Sequence, residues 1–353
     1  MLIRVGIVTA PKIEYELRAH TFLLKNVRIG IGFHWDRYED QEFQGELEIV
    51  ESRKTKDKRL FTAVNTLDLE DYLCSVISSE MSANSPMELL KAHAVISRSW
   101  AVRAIEKPNH EGYHVCADDH CQRYEGLRRM NERAVQAVRE TEGQVLTYVQ
   151  RDDVRCTKEE ICDCRYYKCC GGKTEVWRTC WEDIDVPYIQ SVECPYCGRV
   201  SERTLRLVLN DYDQETKDFH DWKVSYTSEE LGEIIRAKSG MDFGDILDLE
   251  PLHRGASGRI DSLRITGTKR TEVIGKELKI RLWLSPTCLY SSWFEVEKIF
   301  NSQFSIFNLT GHGWGHGAGL CQIGAAQMAT EGFKYEQILA HYYAGTRLST
   351  TTR

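Results

Sequence analysis

A glycine-rich stretch close to the C-terminus places the strongest constraint on how this chain can fold. Residues 311–319 read GHGWGHGAG, with five glycines and two histidines in nine residues. Glycine loses more backbone entropy on folding than any other residue, so such a run indicates a backbone geometry that side chains would obstruct. The glycines between His312 and His316 argue against a helical zinc-binding pair. We expect a loop whose backbone amides bind a polar or anionic group, followed by a helix over 318–331.

Charge and hydropathy exclude two classes of partner. The 353 residues carry a formal net charge of −7, whereas nonspecific nucleic-acid binding requires a basic surface, so we expect no nucleic-acid partner. No apolar run is long enough to cross a bilayer, which predicts no transmembrane segment. The start of the sequence also lacks the pattern of a signal peptide.

Hydrophobic periodicity predicts an α+β fold with mixed helices and antiparallel strands. Residues 1–65 alternate short apolar runs with turns, which is typical of strands. Residues 66–353 begin with two stretches of apolar residues at helical spacing, the second running from Pro86 to about Ile105. Ser85, Pro86 and Glu88 have the pattern of a capped helix start. Within this second region, residues at about 200–307 are predicted to form a mixed, β-rich insertion, with a strand over 271–284.

Glu80 lies at the predicted junction of those two helices. A carboxyl group partly removed from water holds its proton more tightly and can act as a general acid. The alternative is an ordinary exposed glutamate at a helix end, which is the commoner situation for this residue type. Arg98, inside the second helix, could turn back to orient Glu80 or a substrate oxygen, or it could be solvated like most helical arginines.

A group of histidines and cysteines occurs between residues 110 and 121. We call four of them the His/Cys cluster, namely His110, Cys116, His120 and Cys121. Zinc favours this mixture of ligands in a tetrahedral arrangement. The spacing is not that of a standard zinc finger, so a loop with ordinary cysteines and exposed histidines stays an equal alternative.

The chain is rich in cysteine, with thirteen residues, of which eight lie between Cys156 and Cys197. Disulfides are expected in an oxidising compartment, and thiols or metal ligands in a reducing one. The CPYC sequence that ends at Cys197 could be a redox pair or half of a zinc site. No βαβ pattern surrounds it, so a structural disulfide or a metal staple fits better.

A Gly171-Gly172 pair in the same region permits a tight backbone turn. Thr174 and Glu175 would supply polar groups beside it. The sequence lacks the ending of a phosphate-binding loop, so a β-turn is the default interpretation.

Several stretches together, and in this order, resemble the SpoIID/LytB family of bacterial cell-wall proteins. They are LEDYLCSVISSEMSANSPMELLKAHAVISRSWAV, CADDHCQRYEG, CCGGKTE, SGRIDSLRITG and GHGWGHGAGLCQIGAAQMATEGFKYEQILAHYYAGTRL. The resemblance runs from about residue 65 to residue 348, and its first and last blocks are long enough to be specific. The cysteines around the Gly-Gly pair depart from the family pattern, which commonly has a Ser/Thr-rich stretch there.

The resemblance implies a peptidoglycan lytic transglycosylase that cleaves glycan strands, without their stem peptides, to 1,6-anhydro products. Glu80 matches the family's catalytic glutamate, and Arg98 matches its arginine. The implied substrate-binding residues are Gly171, Gly172, Thr174, Glu175, His312, His316, Gln322, Tyr342 and Tyr343. No cofactor is required for catalysis, and the His/Cys cluster is expected to hold a structural zinc ion, as some relatives do.

The same resemblance leaves a second function open. The family's other branch enhances a cell-wall amidase, so the chain could bind glycan without cleaving it and have an amidase as its partner. A zinc hydrolase centred on the His/Cys cluster is a third hypothesis, although sites rich in cysteine are usually closed and structural. The family implies a location in the cell envelope or outside the cytoplasmic membrane.

Overall fold

The computed structural model describes residues 1–30, 36–52, 59–118, 120–151, 157–209, 219–300 and 305–351. Cys156, one of the clustered cysteines, lies outside the described residues. The predicted α+β class is confirmed, since helices and mainly antiparallel strands alternate along the chain.

The described strands and helices are as follows, in chain order. The strands are β1 (Leu2–Ala10), β2 (Tyr15–Leu17), β3 (Thr21–Ile29), β4 (Arg37–Gln44), β5 (Glu46–Ser52), β6 (Leu60–Asp68), β7 (Val115–Cys116), β8 (Gln144–Arg151), β9 (Thr157–Ile161), β10 (Tyr166–Tyr167), β11 (Asp221–Thr227), β12 (Ile246–Arg254), β13 (Ile260–Gly267), β14 (Thr271–Ile274), β15 (Phe294–Phe300), β16 (Ser305–His312), β17 (Leu320–Cys321) and β18 (Arg347–Thr350). The α-helices are α1 (Leu69–Glu80), α2 (Met87–Glu106), α3 (Glu132–Glu140), α4 (Trp177–Cys180), α5 (Glu202–Val208), α6 (Ser228–Ser239), α7 (Glu277–Trp283), α8 (Gln322–Thr330) and α9 (Tyr335–Tyr342), and Cys197–Arg199 form a 3-10 helix.

The N-terminal strands and the first helices share one apolar core. Strands β5, β6, β1 and β7 form a sheet in that order, and β2, β3 and β4 form another. Val5 of β1 is fully buried in the same cluster as Tyr72 and Val76 of α1. Strand β6 runs through residue 65, where the strand-rich section was expected to end, and leads directly into α1. The helix that carries Glu80 is therefore anchored on the N-terminal sheet.

Helix α2 is the long central helix of this core. It begins at Met87, within one residue of the predicted start. The predicted capping box is wrong, because no side chain caps this helix. Glu88 instead accepts a hydrogen bond from the backbone N–H of Tyr335 at 2.9 Å, since α9 packs against α2.

A second apolar core lies between β11 and β16. Strands β11, β16 and β15 form one sheet, β12, β13 and β14 another, and α6 and α7 pack against them. The strand predicted over 271–284 is wrong in its second half: β14 ends at Ile274 and α7 follows. Glu277, Ile280 and Arg281 are buried at helical spacing on α7, and this tertiary packing overrides the strand-like composition.

The C-terminal segment closes the first core. The glycine stretch begins inside β16, and the short strand β17 separates it from α8. Helix α8 therefore begins at Gln322 rather than at residue 318, and the Cys321 sulfur caps it by accepting the N–H of Gly324 at 3.3 Å. Among the described helices, none combines the length and the apolar composition that a membrane span requires.

Candidate functional site

Glu80 is the last residue of α1, and it is half-buried. Its Oε1 accepts a hydrogen bond from the hydroxyl of Tyr166 at 3.0 Å and another from the backbone N–H of Arg123 at 3.1 Å. Tyr166 belongs to β10, and Arg123 follows the His/Cys cluster in the chain. Three remote segments therefore meet at one carboxylate, and two donors on one oxygen fix its orientation.

Tyr166 is the contact that joins Glu80 to the centre of the fold. Burial of the phenol, and then the charge of Glu80, raise the pKa of Tyr166 well above its ordinary value. The hydroxyl therefore stays protonated and can donate a hydrogen bond to the carboxylate. The ring of His93 packs edge-on against the Tyr166 ring, with 4.4 Å between the ring centres.

His93 lies fully buried on α2 and is neutral. Burial, and then the nearby Lys168, lower the pKa of His93 to about 3. The side-chain amide of Gln322 donates to its Nε2 at 3.0 Å, so its Nδ1 carries the proton and donates to Ser97 Oγ at 3.2 Å. Gln322 itself is buried and binds His93. It therefore supports the wall behind Tyr166, although we expected it to line a glycan groove.

His316 holds the backbone of Tyr166. Its Nε2–H donates to the carbonyl oxygen of Tyr166 at 3.0 Å, while its Nδ1 accepts the N–H of Ala318 at 3.1 Å. Burial lowers the pKa of His316 well below its ordinary value, so the ring is neutral. His312 points elsewhere, because its Nδ1 is hydrogen-bonded to Asp221 at 2.6 Å. The structure thus brings only one of the two histidines to the surroundings of Glu80.

Three consecutive backbone amides of the glycine stretch donate to carbonyl groups inside the protein. They donate from Gly313 to the His220 carbonyl, from Trp314 to that of Cys169, and from Gly315 to that of Tyr290, at 2.7 to 2.8 Å. A Cβ atom at Gly317 would lie 2.6 Å from the guanidinium carbon of Arg259, and Gly317 has a positive φ of 89°. These three amides are therefore not available to a ligand, and the glycines let neighbouring chain segments pack closely. Binding of a polar group by the rest of the stretch stays a prediction.

Glu175 is fully buried, and its carboxylate is hydrogen-bonded to other residues inside the protein. Its carboxylate accepts hydrogen bonds from the backbone N–H groups of Ala256 and Ser257, at 2.9 and 3.0 Å, and from the Ser257 hydroxyl at 2.6 Å. These bonds tie the loop before α4 to the turn between β12 and β13. Glu175 thus has an internal partner for both oxygens, contrary to its expected role in substrate binding.

The other residues of the Gly-Gly region divide between buried and open positions. Thr174 is buried, and its hydroxyl oxygen accepts the N–H of Val192 at 2.8 Å. A Cβ atom at Gly171 would lie 2.8 Å from the backbone nitrogen of Gly313, so this glycine packs on the glycine stretch. A Cβ atom at Gly172 would meet nothing within 4 Å. Only Gly172 retains the open surroundings that a ligand-facing position needs.

Tyr342 and Tyr343 are interior residues, with relative exposures of 1% and 0%. The Tyr343 hydroxyl donates to the carbonyl oxygen of Arg165 and accepts the N–H of Leu320. The Tyr342 hydroxyl lies 3.2 Å from the Cys194 sulfur. We expected both tyrosines to line a groove, but the structure places their rings in the first apolar core.

Arg98 is fully buried and is paired with Glu70 rather than with Glu80. Its Nε and Nη2 donate to the two Glu70 carboxylate oxygens at 2.8 and 2.6 Å. The guanidinium also donates to the carbonyl oxygens of Val138 and Gln144. These contacts hold α1 and α2 against α3 and β8. Arg98 therefore helps to fix the position of α1, the helix that ends at Glu80.

The His/Cys cluster comes together in the structure. Its four ligand atoms lie within 4.8 Å of one another. The His110 Nε2 is 3.2 Å from the Cys121 sulfur, and the His120 Nδ1 is 3.4 Å from the same sulfur. These separations suit two imidazoles and two thiolates around one tetrahedral zinc ion, which leaves no open position for a substrate. His114 lies outside the cluster, because its Nδ1 accepts the backbone N–H of Arg4 at 3.0 Å.

The residues that complete the site were not recognised in the sequence. Tyr166, Arg123 and His93 carry no motif of their own. The available signals were weak: Tyr166 stands beside cysteines in CRYYKCC, and Arg123 follows the last ligand of the His/Cys cluster by two positions. Arg123 contributes its backbone N–H, which any non-proline residue could supply.

Comparisons with known proteins relate most of the chain to one family. A family profile described as Stage II sporulation protein (SpoIID) matches residues 57–148, and a domain of unknown function (DUF8618) matches residues 175–319. An uncharacterized protein of Brachyspira hyodysenteriae is 30% identical over 284 residues, which cover 80% of this chain and 67% of that protein. Stage II sporulation protein D of Bacillus subtilis is 26% identical over 304 residues, covering 81% and 76% of the two chains. The amidase enhancer of the same organism is 26% identical over 310 residues, covering 79% of this chain but 40% of its own length.

Proposed function

The chain belongs to the SpoIID/LytB family, and from this premise we propose that it is a peptidoglycan lytic transglycosylase that cleaves glycan strands to 1,6-anhydro products. The observation that carries the proposal is the Glu80 carboxylate, half-buried at the end of α1 and oriented by Tyr166 and Arg123. A fixed, partly dehydrated carboxyl group is what general acid–base catalysis needs.

One carboxyl group suffices for this reaction. Ordinary glycosidases use two, because one protonates the leaving oxygen and the other acts as a nucleophile or activates water. In the proposed reaction, the acid form of Glu80 gives its proton to the glycosidic oxygen as the bond to C1 of the muramic acid breaks. The C6 hydroxyl of the same sugar attacks C1, and the Glu80 carboxylate takes the hydroxyl proton. The glutamic acid is regenerated, and no water is consumed.

The neighbours of Glu80 support the step in which it gives up its proton. When the proton leaves Glu80, negative charge develops on the carboxylate, and the donors from Tyr166 and Arg123 stabilise it. Neutral His93 and His316 hold Tyr166 in place without placing a positive charge beside the site. Tyr166 is a positioning residue in this mechanism.

The His/Cys cluster would hold a zinc ion with a structural role. The ion would supply rigidity to the loop that runs from Cys121 to Arg123, whose amide contacts Glu80. Its four protein ligands complete a tetrahedron, which argues against an open catalytic site. The family relation also supports a place in the cell envelope, outside the cytoplasmic membrane.

A second candidate function follows from one relative. The amidase enhancer of Bacillus subtilis aligns with 79% of this chain, so the fold could bind glycan and act on a cell-wall amidase without cleaving the strand itself. The two functions differ in whether Glu80 takes part in bond cleavage.

Product analysis separates the two functions. Purified protein is incubated with glycan strands that lack stem peptides, and the products are identified by mass spectrometry. We expect new 1,6-anhydro ends. Reducing ends would contradict the transglycosylase and indicate hydrolysis, while strand binding without cleavage would favour the amidase enhancer.

A further inference from the structure

A second group of metal-ligating side chains lies in the core, and the proposed activity does not use it. We call it the four-cysteine cluster; its members are Cys170, Cys194, Cys197 and Cys321. All four are buried, and their sulfur atoms lie within 4.8 Å of one another. We propose that this cluster binds one zinc ion through four thiolates, independently of the His/Cys cluster and of any glycan chemistry.

The separations between the sulfur atoms favour a single ion. Zinc–thiolate bonds of about 2.3 Å in a tetrahedron place the sulfurs about 3.8 Å apart. The Cys170 and Cys197 sulfurs are 3.2 Å apart, and no pair exceeds 4.8 Å. A four-iron cluster binds each thiolate to a different iron, so it needs sulfurs that stand further apart. A disulfide would bring two of the sulfurs to about 2.0 Å from each other and would not involve the other two. No cysteine in the described ranges forms a disulfide.

Hydrogen-bond donors lie within reach of three of the four sulfurs. The donors and their acceptors are Gly172 N–H to Cys170 Sγ at 3.4 Å, Cys170 N–H and Gly324 N–H to Cys321 Sγ at 3.3 Å each, and Tyr342 O–H to Cys194 Sγ at 3.2 Å. Four thiolates around a divalent ion leave two excess negative charges. Donors directed at the sulfurs spread this charge, as outer-shell groups do in metal sites. Cys321 also caps α8, where the helix dipole favours a negative group.

The local backbone is shaped around the cluster. Cys194 and Cys197 are separated by two residues, a spacing typical of zinc-binding pairs. Gly324 packs directly on the sulfurs, since a Cβ atom there would lie 2.6 Å from the Cys194 sulfur. A larger residue at this position would displace a ligand.

The ion would link three segments that are remote in sequence. Cys170 follows β10, whose Tyr166 contacts Glu80, and Cys321 precedes Gln322, which binds His93. The third segment is the CPYC sequence. Zinc in the four-cysteine cluster therefore links the segment after the glycine stretch, at the start of α8, to β10 and to the CPYC sequence.

Metal content tests the assignment. Protein purified under reducing conditions is analysed for metals and by native mass spectrometry, together with Cys197→Ser and the matched control Cys162→Ser, which removes a thiol equally buried in the same core but outside the cluster. We expect Cys197→Ser to contain one zinc ion per chain fewer than the wild type, and Cys162→Ser to contain as many. Unchanged zinc in Cys197→Ser, loss of zinc in Cys162→Ser, or iron with inorganic sulfide in the wild type would overturn the proposal.

A second measurement uses only the wild type, so it tests the proposal even if the Cys197→Ser variant does not fold. Wild-type protein is treated with a thiol-alkylating reagent before and after addition of a strong zinc chelator, and the modified cysteines are mapped. We expect the chelator to expose the four-cysteine cluster to alkylation while Cys162 and Cys164, equally buried in the same core, stay protected. The same alkylation with and without chelator, or disulfides among the four cysteines, would contradict a zinc site.

Discussion

The hydroxyl of Tyr166 donates a hydrogen bond to Oε1 of Glu80 across 3.0 Å, although the two residues are 86 positions apart. Tyr166 is paired in turn with Leu320 of β17, directly after the glycine stretch. Through Tyr166, the segment after the glycine stretch supports the Glu80 carboxylate from the opposite end of the chain.

Removing that hydroxyl should slow the reaction. We expect Tyr166→Phe to lower kcat/KM by roughly 10- to 100-fold, because a hydrogen bond to a charged group contributes about 1.5–3 kcal/mol. The rate of glycan cleavage is measured as a function of pH. The alkaline limb of the profile, where Glu80 loses the proton that it donates, should move to higher pH because the carboxylate loses a hydrogen-bond donor.

Tyr167→Phe is the matched control for this change. Tyr167 is adjacent and buried, and within the described part of the chain its hydroxyl has no hydrogen-bond partner. We expect an unchanged rate and profile. Equal losses in the two variants would mean that packing, rather than the hydroxyl of Tyr166, matters.

Arg98 should affect stability more than chemistry. Arg98→Met leaves Glu70 without its bidentate partner, and Glu70 is 28% exposed, so we expect a loss of roughly 2–4 kcal/mol in the free energy of unfolding. Denaturant titration of both single variants and of the double variant Arg98→Met/Glu70→Gln measures their coupling. Additive losses would contradict the coupling of Arg98 with Glu70. A folded Arg98→Met protein that cannot cleave glycan would indicate a direct role in the reaction.

Acid should destabilise the fold through His93. Its pKa falls from 6.5 to about 3 on folding, so between these values the unfolded chain binds a proton that the folded protein does not. Stability contributed by neutral His93 is therefore present above pH 6.5 and is lost as the pH falls toward 3, by up to about 1.4 kcal/mol per pH unit. Burial, and then the charge of Lys168, oppose protonation of the imidazole, against which the ring of Tyr166 packs.

The comparison with His93→Gln isolates this contribution. The free energy of unfolding is measured between pH 7 and pH 4, and the variant should lose less of it than the wild type. His20→Gln, a change at an exposed position, serves as the control. Parallel curves for wild type and His93→Gln would refute the assignment of the buried neutral imidazole.

Loss of metal from the His/Cys cluster should weaken the site indirectly. We expect His120→Asn to lower both the zinc content and Tm, and to lower activity because the segment that carries Arg123 is released. Cobalt should restore stability and activity together in metal-stripped wild type. His114→Asn, in the same loop but outside the cluster, should keep its zinc. A fully folded, metal-free protein without activity would instead point to a catalytic metal.

The sequence predicted the local structure better than the contacts. Apolar residues at helical spacing located α2 to within about one residue at each end, and they predicted the helix that ends at Glu80. The strand predicted over 271–284 failed where Ile280 and Trp283 pack into the second core as part of α7. Short segments of this kind are decided by their tertiary neighbours.

The site was harder to predict, for a physical reason. Glu80 and the His/Cys cluster stand in compact motifs, so spacing and chemistry point to them. Arg98 and Tyr342 also stand in motifs, yet their partners Glu70 and Cys194 are distant in the sequence, and a motif does not reveal which way a side chain faces. The glycines at 311–319 indicated that other atoms come close to this backbone. In the structure, those atoms belong to Arg165, Arg259 and other interior groups.

The central claim is that Glu80 supplies and recovers the proton in glycan cleavage. Its most direct test counts 1,6-anhydro ends released from peptide-free strands by wild type, by Glu80→Gln and by Glu106→Gln. Glu106 is the exposed carboxylate that ends α2 as Glu80 ends α1, so its variant controls for loss of charge. The account predicts that Glu80→Gln releases fewer anhydro ends by roughly 10²–10⁴-fold, with Glu106→Gln equal to wild type. Anhydro ends formed by Glu80→Gln at the wild-type rate would contradict it.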